Sequence, residues 1–202
     1  MSTRVSVARG SVIQHTRTAV LMVVMLTVIL GIVYPLIMTG LSQVLFNHQA
    51  NGSLIRDRFG NIVGSALLAQ NFSKPEYFHP RPSVAGNDGY DATSSGGSNL
   101  GPTNQKLIDA VKDRSAVYRQ ENGLEADALV PVDAVTTSAS GLDPDISPAN
   151  ALIQVSRVAK ARNMPEDQVR GMVNQYTEGR TFGILGEPRV NVLKLNLALD
   201  GQ

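Results

Sequence analysis

The stretch that decides the fold runs from Ala19 to Leu41 and reads AVLMVVMLTVILGIVYPLIMTGL. As an α-helix, these 23 residues would extend about 34 Å, enough to cross a hydrocarbon core of about 30 Å. Gly31 and Pro35 lie inside the stretch, are tolerated in membrane helices and are the points where such a helix can kink. The sequence therefore predicts one transmembrane helix, with bounds at residues 18–45.

The charges around this stretch predict its orientation. The chain has 202 residues, 18 Lys+Arg and 17 Asp+Glu, for a net charge of +1. Residues 1–17 contain no acid and three arginines: Arg4, Arg9 and Arg17. Since these arginines contribute +3 to a total of +1, residues 18–202 carry a net charge of −2. No charged side chain occurs from residue 18 to residue 55. The positive-inside rule then predicts a cytoplasmic N-terminus (1–17) and an extracytoplasmic domain (46–202).

Several other classes of protein fit the composition poorly. A cleaved signal peptide would have an apolar run of only about 7–15 residues, so an uncleaved, single-pass anchor in the cell membrane is predicted. A near-zero net charge argues against a nucleic-acid partner bound through a basic surface. The absence of cysteine excludes disulfides, Cys-ligated zinc and thiol chemistry.

Residues 46–202 have the size of one compact domain, and the order of predicted elements gives it an α+β fold. Short runs at Ser53–Asp57 and Asn61–Ala66 flank a glycine and predict a β-hairpin. Residues 73–104 are rich in Pro, Gly and Ser, which is typical of a long loop that is functional or mobile. Residues 136–147 form a second polar loop.

Caps and apolar spacing predict the remaining elements. The sequence predicts three helices, from Thr103 or Asn104 to about Glu121, from Ser147-Pro148 to about Arg162, and over Pro165–Tyr176. It also predicts two strands, at Leu129–Val135 and at Arg189–Asp200, where every second residue from Leu193 to Leu199 is a leucine.

Two acidic or Gly-rich patterns have simple structural explanations. Asp143-Pro144-Asp145 begins like a calcium loop but lacks its Gly and closing Glu, so two solvated turn carboxylates are expected. The turn Thr177–Pro188 is surrounded by Arg180, Glu187 and Arg189, for which a structural salt bridge or a bond to a partner is expected.

One pattern leaves an enzymatic alternative open. A Ser–His–Asp triad could be drawn from Ser138 or Ser140 with His79 and Asp133, although no GxSxG motif supports it. The corresponding function would be a membrane-anchored extracytoplasmic hydrolase. No P-loop is present, and Gly96–Gly101 does not match GxGxxG, so the residues alone indicate an interaction subunit.

Longer strings resemble a known family. They are YFHPRPS (Tyr77–Ser83), YDATSSGGSNLGPTN (Tyr90–Asn104), PVDAVTTSASGLDPDISPANALIQVSRVAKAR (Pro131–Arg162) and TEGRTFGILGEPRVNVLKLNLALD (Thr177–Asp200). Together with the apolar span, these strings resemble the C subunit of the Kdp potassium-transporting ATPase of bacteria and archaea, over essentially the whole chain.

The resemblance implies a non-catalytic accessory subunit of a high-affinity potassium uptake complex. Its implied partners are a channel-like potassium-binding subunit, a P-type ATPase subunit and a very small single-span subunit. It implies a role in assembly or, alternatively, a catalytic chaperone that raises the ATP affinity of the ATPase subunit. The proposed nucleotide contact resembles an ABC-transporter signature and consists of Ser94, Ser95, Gly96, Gly97, Ser98 and Asn99.

The predicted topology bears on that nucleotide role. With the arginines inside, Ser94–Asn99 would face the outside, where ATP is scarce. The expectation is therefore that the chain itself holds no cofactor, with ATP entering only through the complex. We expect the outer domain to brace the outer mouth of the channel-like subunit, with loops 73–104 and 136–147 as its contact surfaces.

Overall fold

The computed structural model describes residues 9–201, with the backbone alone for residues 9–11. The prediction for Arg4 therefore lies outside the described residues, as does the side-chain part of the prediction for Arg9. The chain divides into two compact units, and the division falls after Gly52.

The first unit is built on one long apolar helix. Helix α1 (Arg9–Val28) continues through a π-helical turn (Ile29–Val33) into α2 (Tyr34–Leu45), and the short helix α3 (Asn47–Ala50) follows. By length and composition, the 34 residues Val12–Leu45 can cross a membrane, and the described residues contain one such helix. The predicted apolar helix is confirmed.

The π-helical turn explains how this helix accommodates its proline. Pro35 has no N–H, so a carbonyl of the preceding turn lacks its α-helical donor. Just before it, the N–H of Tyr34 donates to the carbonyl of Ile29, five residues back, which is the π-helical spacing. The irregular geometry is therefore centred on the turn that contains Gly31, immediately before Pro35.

The second unit combines helices with two small antiparallel sheets. Its elements in chain order are β1 (Leu54–Arg56), β2 (Ile62–Ser65), α4 (Gln105–Asn122), α5 (Val132–Val135), β3 (Asp145–Ile146), α6 (Pro148–Arg162), α7 (Glu166–Gln175), β4 (Thr177–Glu178), β5 (Arg189–Asn191) and α8 (Val192–Leu199). This composition is consistent with the predicted α+β class.

The predicted hairpin and the three predicted helices are confirmed. Strands β1 and β2 pair with Ile55 opposite Gly64. Asn104 caps α4 by accepting a hydrogen bond from the N–H of Lys106, and Gly123 ends that helix with φ +64°. Ser147 caps α6, with Pro148 in its first turn.

Both other predicted strands are wrong over most of their length. In Leu129–Val135, the last four residues form the short helix α5, while Leu129 is 92% exposed and Pro131 offers no N–H to a partner strand. In Arg189–Asp200, only the three residues of β5 are extended. The remainder forms α8, which Asn191 caps by accepting a hydrogen bond from the N–H of Lys194.

The core of the second unit lies between helices α6, α7 and α8. The larger sheet has the order β3-β5-β4, with Ile146 opposite Val190. The buried apolar cluster consists of Phe78, Ile146, Ala151, Val155, Val158, Ala159, Val169, Val173, Val190, Val192 and Leu195. Phe78 is the one member contributed by the long loop, which ties that loop to the helical core.

Candidate functional site

The segment around Phe78 is held by side-chain amides where a neighbouring strand would otherwise bond it. The N–H of Phe78 donates to Oδ1 of Asn196 at 2.8 Å, and Nδ2 of Asn196 donates to the carbonyl of Phe78 at 2.9 Å. Phe78 and Asn196 are both buried. A single amide on α8 thus satisfies both backbone polar groups of a residue that water does not reach.

Helix α6 holds the next residue in the same way. The N–H of His79 donates to Oε1 of Gln154 at 2.7 Å, and Nε2 of Gln154 donates to the carbonyl of His79 at 3.2 Å. Gln154 also donates to Oδ1 of Asn150 at 2.9 Å, an atom that accepts from the hydroxyl of Tyr118 at 2.8 Å. Asn150 in turn donates to the carboxylate of Asp133 at 3.0 Å. This network joins α4, α5 and α6 to the loop.

Arg157 completes the attachment from one turn further along α6. Its guanidinium donates to the carbonyls of Pro75 and Tyr77 at 2.7 and 2.9 Å. It also donates to Oδ1 of Asn122 at 3.1 Å and to Oε1 of Gln154 at 2.7 Å. Backbone groups of Pro75, Tyr77, Phe78 and His79 are therefore all bonded by side chains of α6 and α8, although these residues belong to no strand.

Arg162 ties the start of the loop to the C-terminus. It donates to the carbonyls of Glu76 and Leu199 at 2.6 and 3.0 Å, and to the carboxylate of Asp200 at 2.8 Å. Its guanidinium lies 4.9 Å from the centre of the Tyr77 ring, a cation–π arrangement. The Tyr77 hydroxyl donates to Asp200 at 3.1 Å, which closes the cluster.

A cleft of about 370 Å³ lies beside this segment, with His79 in its wall. Nδ1 of His79 is 3.5 Å from the carboxylate of Glu121, and Nε2 is 3.1 Å from the carbonyl of Lys74. Burial, and next the positive charge of Arg157, lowers the pKa of His79 below its ordinary value of 6.5. In the same wall, burial raises the pKa of Tyr90 to about 12.

The catalytic triad of the hydrolase alternative is not assembled. The carboxylate of Asp133 accepts from the N–H and hydroxyl of Ser147 at 2.8 and 2.9 Å. Ser138 and Ser140 contact each other, with 3.3 Å between their hydroxyl oxygens. Within residues 12–201, no hydrogen bond joins His79 to Asp133 or to either serine, so the base–nucleophile contact that the triad needs is missing.

The Ser/Gly stretch 94–99 lies against the second polar loop. Its exposed residues are Ser94, Ser95 and Asn99. Its half-buried residues are Gly96, Gly97 and Ser98. The N–H of Gly96 and the hydroxyl of Ser95 both donate to the carbonyl of Ser140, at 2.9 and 3.0 Å. Loops 73–104 and 136–147 are thereby joined into one surface.

Close approach of the two loops accounts for glycine at one position of this stretch. A Cβ on Gly97 would lie 2.9 Å from the carbonyl oxygen of Ala139, whereas a Cβ on Gly96 would meet nothing within 4 Å. On the other side of the contact, Gly141 has φ +67°, and its Cβ would lie 2.6 Å from the carbonyl oxygen of Gly96. Gly97 therefore has a packing role, and nucleotide contact by this stretch stays a prediction.

The two carboxylates of the Asp143-Pro144-Asp145 turn are ion-paired. Arg81 donates to Asp143 at 2.8 Å, and Arg189 lies 3.1 Å from Asp145. Burial, and next the charge of Asp143, raises the pKa of Asp145. The prediction of solvated turn carboxylates is therefore wrong, because both face cations in the folded unit. Among the described residues, no group of three or more His, Asp or Glu side chains is placed to hold a metal ion.

The predicted salt bridge at the Gly-rich turn is confirmed. Arg180 donates to both carboxylate oxygens of Glu187, at 2.8 and 2.7 Å. Arg189 instead pairs with Glu178 at 2.9 Å, in addition to Asp145.

The sequence interpretation missed the residues that organise this site. Asn150, Gln154 and Arg157 recur at helical spacing on α6, beside the buried stripe that contains Val155 and Val158. Asn196 occupies a comparable position on α8. Polar residues that recur on the inner face of a helix could have indicated a buried hydrogen-bond network, because such groups are buried only when they are hydrogen-bonded.

Comparison with known proteins assigns the whole of this architecture to one family. Residues 16–201 match the family model "KdpC: K+-transporting ATPase, c chain". The chain is 59% identical over 185 residues to the potassium-transporting ATPase KdpC subunit of Koribacter versatilis, with 91% of this chain and 93% of the relative covered. It is 58% identical over 182 residues to that of Mycobacterium tuberculosis, with 90% and 95% covered. It is 53% identical over 190 residues to the KdpC subunit of Caulobacter vibrioides, with 94% of this chain and 94% of the relative covered. The chain belongs to the KdpC family, the c chains of K+-transporting ATPases.

Proposed function

We propose that this chain is the non-catalytic accessory subunit of an ATP-driven potassium uptake complex, with its second unit on the extracytoplasmic side of the membrane. The observation that carries the proposal is the family match, which includes both the apolar helix and the folded unit. Its partners are then the channel-like subunit, the P-type ATPase subunit and the small single-span subunit.

The charge distribution supports this orientation. Residues 1–17 hold three arginines and no acid, and residues 18–55 hold no charged side chain at all. An excess of cations beside a single span favours the cytoplasmic side for that end of the chain. Residues 53–202 then lie outside the cytoplasm.

The two joined loops are suited to brace a partner. Besides the contacts of Ser140, the hydroxyl of Ser83 donates to the carbonyl of Gly141 at 2.6 Å, and Arg81 pairs with Asp143. A surface already fixed by such bonds loses little conformational entropy when it binds. We assign loops 73–104 and 136–147 to contact with the channel-like subunit, where they would support assembly.

Two measurements test the proposal. Affinity purification through a C-terminal tag on the full chain is expected to recover the three partner subunits from a membrane extract. Because the chain has no cysteine, Ser98→Cys can be labelled on intact cells with a membrane-impermeant thiol reagent. Ser6→Cys, in the N-terminal segment that precedes the span, serves as the matched control and should be labelled only after lysis.

Opposite results would overturn specific parts of the proposal. Purification without any partner subunit would remove the accessory role. Labelling of Ser98→Cys only after lysis would place the second unit in the cytoplasm, against the orientation proposed above.

The second candidate function is nucleotide contact that raises the ATP affinity of the ATPase subunit. The exposure of Ser94, Ser95 and Asn99 favours it, since these polar side chains are open to a ligand. It requires residues 94–99 to be cytoplasmic, so protection of Ser98→Cys until lysis would support this function and labelling from outside would exclude it.

A further inference from the structure

The connection between β4 and β5 exposes three large apolar side chains side by side. We call residues 180–187 the apolar turn. Within it Phe182, Ile184 and Leu185 are 89%, 75% and 57% exposed. Single exposed apolar residues are ordinary, but an adjacent group of them on a soluble unit commonly marks an interaction site.

The apolar turn is rigid rather than loosely exposed. Thr181 and Leu185 exchange two backbone hydrogen bonds, each of 2.9 Å. At the base, Nη2 of Arg180 donates to both carboxylate oxygens of Glu187 and closes the turn. The backbone that carries the three apolar side chains is therefore already ordered, which lowers the entropic cost of binding.

The residue at the tip is unfavourable for the turn itself. Phe182 and Gly183 both have positive φ, +54° and +77°, within the three residues that separate the paired Thr181 and Leu185. Asparagine and glycine adopt this geometry readily, whereas a side chain such as phenylalanine is sterically disfavoured there. Since the Phe182 ring is 89% exposed, packing within the unit does not compensate for this conformation. Strain of this kind is typical of functional positions.

We propose that the apolar turn inserts into an uncharged, apolar pocket of another subunit of the potassium-transporting ATPase complex, with Phe182 as the anchor. The inference rests on the proposed function of the chain as a subunit of that complex. Backbone N–H groups of Thr181, Gly183, Ile184 and Leu185 donate within the turn. Arg180 is paired with Glu187, so the three apolar side chains are the main surface left for recognition.

Area and charge favour a pocket of another subunit over a second copy of this chain or a lipid surface. Three side chains expose a few hundred Å², less than the roughly 800 Å² per partner of a stable stand-alone interface. The turn alone is therefore too small to hold two copies of this chain together, but it suffices as one anchor within a larger assembly. A membrane-binding loop would use free cations toward anionic lipids, whereas Arg180 and Arg189 are both paired with acids.

A substitution at the tip separates binding from folding. Phe182→Asn removes the ring and supplies a residue that suits positive φ, so the fold is retained. The matched control is Phe59→Asn at the tip of the other hairpin, where Phe59 is 76% exposed. Purified through a tag on the full chain, Phe182→Asn is expected to recover about tenfold less of the partner subunits than the control. Equal recovery with both variants overturns the inference, whereas failure of the unsubstituted chain to recover any subunit overturns the proposed function instead.

Cross-linking identifies what covers the turn. Ile184→Cys in the full chain carries a photoreactive maleimide in the assembled complex, with Phe59→Cys as the control position. The expected product joins this chain to another subunit of the complex and forms at residue 184 but not at residue 59. An adduct with lipid, a product containing two copies of this chain, or no adduct at all would each overturn the inference.

Discussion

Asn196→Ala is the sharpest test of the amide-held segment. The substitution removes two hydrogen bonds of 2.8 and 2.9 Å and leaves the N–H and the carbonyl of Phe78 buried without partners. Each buried polar group left unsatisfied costs about 1–3 kcal/mol, so a loss of about 2–6 kcal/mol is expected in the free energy of unfolding. Domains are typically stable by only about 5–15 kcal/mol, so the variant would lie near the limit of folding.

The loss can be measured by urea unfolding of the full chain in detergent, followed by far-ultraviolet circular dichroism. Asn174→Ala is the matched control, because Asn174 also lies within a helix but is exposed. It should change the free energy of unfolding by less than about 0.5 kcal/mol. A loss at Asn196 below about 1 kcal/mol would show that the backbone of Phe78 has other partners, and would refute the role of the amide as a substitute for a strand.

Three further predictions concern glycine packing and pH. Gly97→Ala should lower the free energy of unfolding by about 1–3 kcal/mol because its methyl group meets Ala139, whereas Gly96→Ala should change it by less than about 0.5 kcal/mol; equal losses in urea unfolding would contradict this. Because the pKa of His79 is lowered in the folded chain, the imidazole binds a proton more readily in the unfolded chain, and stability should fall as pH drops below 6.5. His79→Gln should flatten that part of the pH profile of the free energy of unfolding. The raised pKa of Tyr90 should make stability fall as pH rises from 10 to about 12, a loss that Tyr90→Phe should reduce.

The sequence predicts those elements whose determinants are local. Helix α4 carries its own start signal in Asn104 and its own stop signal in Gly123, and α6 has a Ser-Pro start, so all three signals were interpretable without knowing the fold. The apolar helix is equally local, because 34 consecutive residues with this composition have few alternatives.

The error at α8 has a definite physical cause. The leucines at 193, 195, 197 and 199 alternate, which is the strand period. Val192, Leu195, Asn196 and Leu199 have the spacing i, i+3, i+4, i+7 of a helix face, and Asn196 is buried. Because asparagine was taken as an outward-facing residue, the helical stripe was invisible. A buried amide that bonds a distant backbone can be recognised only in three dimensions.

The candidate site was beyond prediction for a related reason. His79 and Gln154 are 75 residues apart in the chain, and Phe78 and Asn196 are 118 residues apart. No spacing rule links partners at such separations. The contact of loops 73–104 and 136–147 likewise depends on a backbone approach at Gly97 that composition does not reveal.

The position of Asn196 close to the C-terminus also determines when the unit can finish folding during synthesis. Phe78 leaves the ribosome early, but the amide that satisfies its backbone is made 118 residues later, together with the last core residues of α8. Until α8 has been synthesised, the Phe78 ring lacks part of the core in which it is buried. A chain that ends before α8 would lack the amide that bonds the backbone of Phe78, so this segment should be cleaved by proteases more readily than in the full chain.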